Sequence, residues 1–356
     1  MGVEQLAIKI DRIKESRLDQ IDFNELKFGR DFSDHMLIAD YENGSWGEAR
    51  IMPFQSIPFS PAACVFHYGQ AIFEGQKAHR APNGDILLFR PEKNWERLNR
   101  SARRMCMAEV PREIFMEGIK ALVDLDRNWI PEGDGKSLYI RPFLIADDGF
   151  LGVKPSEKYK FMVITSPTSN YYSGAVNVRI ETQYSRACEG GIGAAKAAAN
   201  YAASLLPAQE AKKAGYDQLI WTDAKEHKYI EESGTMNLML RIGDTLVTPS
   251  LESNTILPGI TRDSILFLAK EWGYKLEERK VEVAEVIDAL KSGNLTEAFG
   301  MGTAATIAPI AKIGYEGKDY ELSDFQNWEF ASRLKAYLEG IKRGTVEDVH
   351  GWTVKL

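Results

Sequence analysis

The sequence predicts a two-domain α+β or irregular α/β fold, and three observations support this prediction. The chain has 356 residues, which is long for a single hydrophobic core. Strand-like and helix-like segments follow one another without strict alternation, which argues against a doubly wound parallel sheet. The segment SPTSNYYSGAVN is rich in Ser, Asn, Tyr and Gly and has no periodic apolar pattern, so we expect it to connect two domains.

The domain boundaries follow from that connection. We expect a small N-terminal domain over 1–167, an interdomain loop over 168–178 and a larger C-terminal domain over 179–356. Hydrophobic residues make up 44% of the chain and charged residues 27%, which is the composition of an ordinary globular protein.

The first domain contains segments with the alternation and the β-branched and aromatic content of strands. They are DHMLIADY, ARIMPFQSI, GDILLFR, SLYIRPFLIA and YKFMVITSP. Pro91 is expected to begin a helix because its fixed φ suits the first helical position. Trp95, Leu98, Ala102 and Met105 would share one face of that helix. The segment REIFMEGIKALVDLDRNWI predicts a second amphipathic helix.

The second domain is expected to begin at about VRIETQYSR. Its predicted strands are YDQLIWTD, KYIEES, NLMLRIG and TLVTPS. Its predicted helices are the Ala-rich segment after Lys196, LPGITRDSILFLAKEWG and FQNWEFASRLKAYLEGIKRG.

Charge and composition exclude several classes of function. The formal net charge is −7 with both signs interspersed, which argues against a nucleic-acid-binding protein. No run of 18 apolar residues predicts a membrane span, and the N-terminal residues do not resemble a signal peptide, so we expect a cytoplasmic protein. The three cysteines predict no disulfide framework, and no histidine stands at metal-ligand spacing, so no metal site is expected.

Lys196 lies in an unusual stretch, GGIGAAKAAANY. The small residues around it leave space for a bulky group to approach its ammonium. A desolvated lysine with a lowered pKa can form a Schiff base with an aldehyde. Most lysines are solvated surface groups, so this stretch alone leaves both interpretations open.

Two glycine-containing segments could bind an anion. In LPGITRDSI, a Pro-Gly turn precedes a helix whose first N–H groups, those of Ile260 and Thr261, have no partner within the helix. The segment FGMGTAATIAP matches the Gly-x-Gly-x-x-Ala dinucleotide pattern. No amphipathic helix follows it, so we reject a dinucleotide site and retain only a loop whose N–H groups could approach an anion.

Acidic and aromatic residues complete the candidate chemistry. Glu231 and Glu232 are adjacent on a predicted strand, so one should point inward and the other outward. An inward carboxylate needs a cation, such as a protonated pyridine nitrogen, whereas two solvated acids on an edge strand would need nothing. The segments HYGQAIFEGQKA and SLYIRP could pack in a core or line an apolar substrate pocket.

Together these segments resemble the branched-chain aminotransferases, a group within the fold-type IV pyridoxal-phosphate enzymes, and in particular their larger, eukaryote-like branch. The matching motifs occur in the family's order: FGRDFSDHML, HYGQAIFEGQKA, LFRPEKNWERLNRSA, LYIRPFL, GGIGAAKAAANY, EESGTMN, LPGITR and FGMGTA. The resemblance covers nearly the whole chain. It implies a small α/β domain followed by a larger domain with a pseudo-barrel.

The resemblance also implies which residues hold pyridoxal 5'-phosphate. Lys196 would form a Schiff base with the aldehyde and later move a proton between the substrate Cα and the cofactor C4′. Tyr201 would hydrogen-bond the phenolic oxygen, and Glu232 would keep the pyridine nitrogen protonated. The residues implied to bind the phosphate are Arg97, Ile260, Thr261 and Thr303.

The same resemblance implies an aromatic substrate pocket for aliphatic side chains and for glutamate. The residues implied to line it are Phe28, Tyr68, Phe73, Tyr139, Arg141 and Tyr171. The backbone at Thr303 and Ala304 would hold the substrate carboxylate. Because one methylene is worth only about 1–3 kcal/mol, leucine, isoleucine and valine should be weakly discriminated.

The implied activity is reversible ping-pong transfer of the amino group of L-leucine, L-isoleucine or L-valine to 2-oxoglutarate, in a homodimer. A D-amino-acid aminotransferase or an aminodeoxychorismate lyase of the same fold type remains an alternative. One departure from the family matters: some large-branch members have a Cys-x-x-Cys where this chain has Ala305 and Ala308. Thiol regulation at that loop is therefore not expected.

Overall fold

The computed structural model describes residues 8–169, 172, 174–322 and 325–356. The strands are β1 Lys9–Ile10, β2 His35–Glu42, β3 Ser45–Trp46, β4 Arg50–Pro53, β5 Ala71–Phe73, β6 Gln76–Arg80, β7 Ile86–Phe89, β8 Ser137–Ala146, β9 Tyr159–Thr168, β10 Val176–Ile180, β11 Gln218–Thr222, β12 Tyr229–Ser233, β13 Met236–Ile242, β14 Thr245–Pro249, β15 Lys275–Arg279, β16 Val281–Glu282, β17 Leu295–Gly302, β18 Thr306–Tyr315, β19 Lys318–Glu321 and β20 Thr353–Lys355. The helices are α1 Cys64–Tyr68, α2 Pro91–Arg104, α3 Arg112–Leu125, α4 Ala198–Ala203, α5 Leu205–Lys213, α6 Ile260–Glu271, α7 Val283–Lys291 and α8 Glu329–Arg343. Among the residues described, no helix is long and apolar enough to cross a membrane.

The chain divides into two compact units, and the division does not coincide with the predicted boundaries. The first unit consists of Met1–Tyr171, Ala195–Ala199 and Gly340–Leu356, and the second of Tyr172–Ala194 and Asn200–Glu339. The short segment that carries Lys196 therefore groups with the N-terminal unit, as does the end of the chain. A linear boundary cannot express this grouping, because it arises from contacts between distant parts of the sequence.

The first unit is built on one sheet. Its strands lie in the order β1-β4-β2-β9-β8-β6-β7-β20, with β3 paired to β2 and β5 paired to β8. Helix α3 approaches β2 closely, since a Cβ on Gly118 would lie 2.6 Å from a methyl group of Leu37. Leu37, Phe115 and Phe161 are fully buried in the core of this unit.

The second unit contains a closed barrel of six strands. Its order is β13-β17-β18-β10-β11-β12, and the pairing of β12 with β13 closes the circle. Strand β10 runs parallel to both β11 and β18, whereas the remaining barrel pairs are antiparallel. Fully buried apolar side chains such as Ile220, Leu238, Phe299 and Ile310 come from four different barrel strands. The predicted mixed fold with a pseudo-barrel in the second part of the chain is confirmed.

Several predicted elements have different lengths from those expected. The strand predicted over ARIMPFQSI covers only Arg50–Pro53, because Pro53 has no N–H with which to continue the ladder. The Ala-rich helix after Lys196 is divided into α4 and α5 at Ser204. By contrast, the strand predicted over SLYIRPFLIA matches Ser137–Ala146 from end to end.

Candidate active site

Lys196 is held at both of its peptide groups within the first unit. Its N–H donates to the Oγ of Ser101 on α2 at 3.0 Å, and its carbonyl accepts the N–H of Phe73 at the end of β5 at 3.1 Å. Ala197 continues this contact through an isolated bridge to Ile72. The side chain of Lys196 is half-buried, with Nζ 4.8 Å from the centre of the Phe73 ring. The backbone is thus fixed, and the amine lies against an aromatic face.

An aromatic and cationic cluster adjoins Phe73. The guanidinium of Arg141 lies 4.6 Å from the centre of the Phe73 ring and donates to the Tyr139 hydroxyl at 3.0 Å. Phe28 contacts the edge of the Tyr139 ring at 4.8 Å. Tyr139 and Arg141 alternate along β8 with residues of the opposite face, so both side chains leave the sheet on the same side. The structure therefore brings together Phe28, Phe73, Tyr139 and Arg141, all of which were predicted to line the substrate pocket.

Two other predicted pocket residues are placed differently. Tyr68 ends α1, is 41% exposed and donates its hydroxyl to the carbonyl of Leu151 at 2.6 Å. Its hydroxyl is thereby bound to the loop that follows β8. Tyr171 lies outside the described residues.

Arg97, predicted to bind phosphate, forms a buried ion pair that the sequence did not indicate. Its Nε and Nη2 donate to the two carboxylate oxygens of Glu74 at 2.7 and 2.8 Å. Glu74 is fully buried and Arg97 is 4% exposed. Asn94, on the same helix, also donates to Glu74 at 2.7 Å. Nothing in the sequence marks this pair, because its members are 23 positions apart and lie on different elements.

Glu232, predicted to pair with a pyridine nitrogen, is buried in the second unit at the end of the barrel strand β12. One carboxylate oxygen accepts the N–H of Leu257 at 2.5 Å. Asn237, opposite Glu232 on β13, lies within 3.5 Å of the same oxygen and also donates to the Leu257 carbonyl at 2.9 Å. These bonds tie the end of β12 to the loop that precedes α6.

Arg186 is a functional candidate that the sequence reasoning missed. Its Nε lies 3.4 Å from the second carboxylate oxygen of Glu232, and its side chain is 9% exposed. Its Nη2 donates to the carbonyls of Gly193 and Thr255. An arginine in a polar stretch is usually a surface residue, so burial is the signal that identifies it, and burial cannot be read from the sequence.

The expectation that Glu231 and Glu232 point to opposite environments was wrong. They are 5% and 3% exposed, so both faces of β12 are covered at this point. The Thr255 hydroxyl donates to Glu231. Burial raises the pKa of the Glu231 carboxyl above its ordinary value, although the Thr255 bond and Arg186 oppose this shift.

The remaining predicted cofactor residues also lie in the second unit. Ile260 and Thr261 are the first two residues of α6, which begins after Gly259. A Cβ on Gly259 would lie 2.0 Å from the amide oxygen of Asn237, so this turn requires glycine. Tyr201 lies in α4 and is half-buried.

The segment FGMGTAATIAP forms an antiparallel hairpin. Gly302 at the end of β17 pairs with Thr306 at the start of β18, and residues 303–305 form the loop. Thr303 and Ala304 therefore lie at a half-buried hairpin tip. The strand that follows this glycine pattern, where a dinucleotide site would need a helix, agrees with the rejection of such a site.

Comparisons with known proteins point in one direction. The family model described as amino-transferase class IV matches residues 71–313. The chain is 45% identical to branched-chain-amino-acid aminotransferase 2 of Bacillus subtilis (strain 168), over 100% of this chain and 98% of that protein. The crystal structure of the Escherichia coli branched-chain amino acid aminotransferase is similar, with a TM-score of 0.73 and 27% identity over 90% of this chain and 98% of that chain.

A further similar structure was solved with a bound molecule. It is the branched-chain amino acid aminotransferase of T.th., complexed with N-(5'-phosphopyridoxyl)-L-glutamate. Its TM-score is 0.72 and its identity 25%, over 89% of this chain and 97% of that chain.

Proposed function

The chain belongs to the amino-transferase class IV family, and from this we propose that it is a branched-chain-amino-acid transaminase that uses pyridoxal 5'-phosphate. The reaction moves the amino group of L-leucine, L-isoleucine or L-valine to 2-oxoglutarate and gives the branched 2-oxo acid and L-glutamate. The two half-reactions alternate in a ping-pong sequence. The setting of Lys196 is the observation that carries the proposal: an amine with a fixed backbone, held against the Phe73 ring.

The groups present suit each part of this cofactor. Lys196 offers an amine for the aldehyde, and Glu232 offers a buried carboxylate for a protonated ring nitrogen. The start of α6 offers backbone N–H groups for the phosphate, and Gly259 lets Asn237 approach this turn closely. Arg97 adds a guanidinium for the same phosphate, with the N–H groups at Ile260, Thr261 and Thr303.

The chain's own residues each perform a separate task. Pyridoxal phosphate supplies an aldehyde that reacts with amines and a ring that withdraws electrons from the reacting carbon. Lys196 binds this group covalently and then carries a proton to and from the substrate Cα. Glu232 holds the proton on the ring nitrogen, and Tyr201 donates a hydrogen bond to the phenolic oxygen.

The cluster around Phe73 accounts for the substrate class. Phe28, Phe73 and Tyr139 offer apolar surface to a branched aliphatic side chain. Arg141, held by the Tyr139 hydroxyl, offers a cation to the side-chain carboxylate of glutamate. The N–H groups at Thr303 and Ala304 would bind the carboxylate that all these substrates share.

Replacement of Lys196 tests the chemistry. We expect Lys196→Ala to lower the rate of leucine transamination with 2-oxoglutarate by at least about 10³-fold, because the variant has neither the amine nor the proton carrier. The control is Lys213→Ala, an exposed lysine on α5, which should retain the wild-type rate. A Lys196→Ala enzyme with the wild-type rate would contradict the proposed mechanism.

A substrate panel tests the specificity. L-leucine, L-isoleucine, L-valine, D-alanine and aromatic amino acids are each assayed with 2-oxoglutarate. We expect similar activity with the three branched substrates. Activity with D-alanine and none with L-leucine would favour a D-amino-acid aminotransferase instead. A cytoplasmic location and a homodimer remain predictions from the family resemblance, and light scattering of the purified chain tests the dimer.

A further inference from the structure

We propose that Glu74 is the positioning residue for Arg97: its carboxylate fixes the guanidinium so that the arginine binds the cofactor phosphate. This inference rests on the proposed function, because it assumes that Arg97 binds phosphate. Glu74 itself would touch neither the cofactor nor the substrate.

The geometry of Glu74 is that of a fixed carboxylate. It accepts two hydrogen bonds from Arg97, at 2.7 and 2.8 Å, in the side-by-side arrangement that gives an arginine–carboxylate pair its orientation. Its Oε2 also accepts hydrogen bonds from the Asn94 side chain at 2.7 Å and from the N–H of Gly75 at 3.3 Å. Both carboxylate oxygens are thus occupied by groups of this chain.

The burial of the pair requires an explanation. Two charges removed from water each lose a large solvation free energy, and their mutual attraction restores this only when the geometry is good. Apolar side chains of similar volume often give equal or greater stability at such a position. A fully buried Glu74 beside Arg97 therefore suggests that the orientation of the arginine, rather than stability, is what the pair provides.

The elements that hold Arg97 also hold Lys196. Glu74 directly follows Phe73, whose N–H binds the Lys196 carbonyl. Ser101, whose hydroxyl accepts the Lys196 N–H, follows Arg97 by one helical turn on α2. One short strand and one helix face therefore fix both the amine that binds the aldehyde and the cation assigned to the phosphate.

The bonds to Glu74 also have a consequence for charge. They come from Nε and Nη2, which form one edge of the Arg97 guanidinium. The carboxylate cancels much of the positive charge that the arginine presents. If charge alone governed phosphate binding, removal of the carboxylate would strengthen it. If orientation governs it, removal of the carboxylate weakens it, so the two explanations predict opposite signs.

The experiment compares two ligands that differ only in the phosphate. The full-length enzyme is stripped of cofactor and titrated with pyridoxal phosphate and with pyridoxal, and binding is followed by the quenching of protein fluorescence. We expect Glu74→Gln to weaken pyridoxal phosphate binding by about tenfold or more and pyridoxal binding by less than about threefold. The glutamine amide can accept one arginine bond but opposes the second with a donor.

A conservative variant covers the possibility that Glu74→Gln does not fold. Glu74→Asp keeps the charge but shortens the side chain, so it should lower the preference for pyridoxal phosphate over pyridoxal by a smaller factor. The matched control is Glu297→Gln. Glu297 is 2% exposed and binds Arg241 at 2.8 Å, but it has no role in the proposed site. This control should leave the preference unchanged.

Arg97→Ala separates the two levels of the proposal. If this variant keeps the wild-type preference for the phosphorylated ligand, the assignment of Arg97 within the proposed function is wrong. If Arg97→Ala loses the preference but both Glu74 variants keep or increase it, the positioning role of Glu74 alone is overturned. Loss of the preference in Arg97→Ala and in the Glu74 variants, with Glu297→Gln unchanged, supports the inference.

Discussion

Two buried glutamates, Glu74 in the first unit and Glu232 in the second, have opposite surroundings. Glu74 is 0% exposed and Glu232 is 3% exposed, so burial does not distinguish them. Arg97 binds Glu74 through two hydrogen bonds of 2.7 and 2.8 Å. Arg186 approaches Glu232 through its Nε, at 3.4 Å. The first pair is closed, whereas the second carboxylate is held mainly by the Leu257 N–H at 2.5 Å.

The difference separates two uses of a buried carboxylate. A carboxylate with both oxygens bound by its own chain fixes a neighbour and has little capacity for a ligand. A carboxylate whose strongest bond comes from a neutral backbone group keeps most of its charge for another cation, such as a protonated ring nitrogen. The predictions below test this distinction by changing one member of each cluster.

The largest effect is expected at Glu232. Glu232→Gln can still accept the Leu257 N–H through its amide oxygen, so the fold should be kept. The neutral amide cannot hold a proton on the ring nitrogen, and we expect kcat with L-leucine to fall by about 10²-fold or more. The measurement is steady-state kinetics together with the thermal midpoint. A variant that unfolds, or one with wild-type kcat, would remove the distinction drawn between Glu232 and Glu74.

The sequence predicted the local elements of the fold better than their closure. Strand β8 was predicted from end to end because its apolar and aromatic residues are continuous. The barrel depends on the parallel pairing of β10 with β18, whose residues Val178 and Ile313 are far apart in the chain. A periodic pattern identifies a strand, but it does not say which distant strand will pair with it.

The same limit applies to the site. Lys196 stood out because small residues surround it in the sequence, and the ordered family motifs supplied its expected partners. Glu74 and Arg186 were missed because their significance lies in burial and in long-range contacts. A charged residue in a polar or mixed segment carries no local sign that it will be removed from water.

A smaller effect is expected at Gly75, which belongs to the Glu74 cluster through its N–H. A Cβ at this position would lie 2.2 Å from the Tyr139 hydroxyl oxygen, so Gly75→Ala must displace that ring. The hydrogen bond from Arg141 to the same hydroxyl would then be lost. We expect the KM for L-leucine and 2-oxoglutarate to rise by about threefold to tenfold, while kcat changes less.

The control for this substitution is Gly47→Ala, whose Cβ would make an ordinary contact of 3.5 Å with the Asp40 carbonyl. It should leave both KM values unchanged. Equal KM values for Gly75→Ala and the wild type would show that Tyr139 can move without consequence, and the aromatic cluster would then not be the substrate pocket.

The smallest effect is expected at Glu231, which is adjacent to Glu232 but differs from both glutamates compared above. The Thr255 hydroxyl binds it, and burial raises the pKa of its carboxyl. An acid whose pKa is raised on folding contributes its full stability at low pH and loses it as the pH rises through the folded value. Glu231→Gln keeps the uncharged form at every pH. The variant should therefore match the wild type at about pH 4 and become more stable by about 1–3 °C in thermal midpoint by about pH 8. A variant that loses stability relative to the wild type over the same rise in pH would mean that Glu231 is ionised and paired, as Glu74 is, and that the two adjacent glutamates share the positive charge of Arg186.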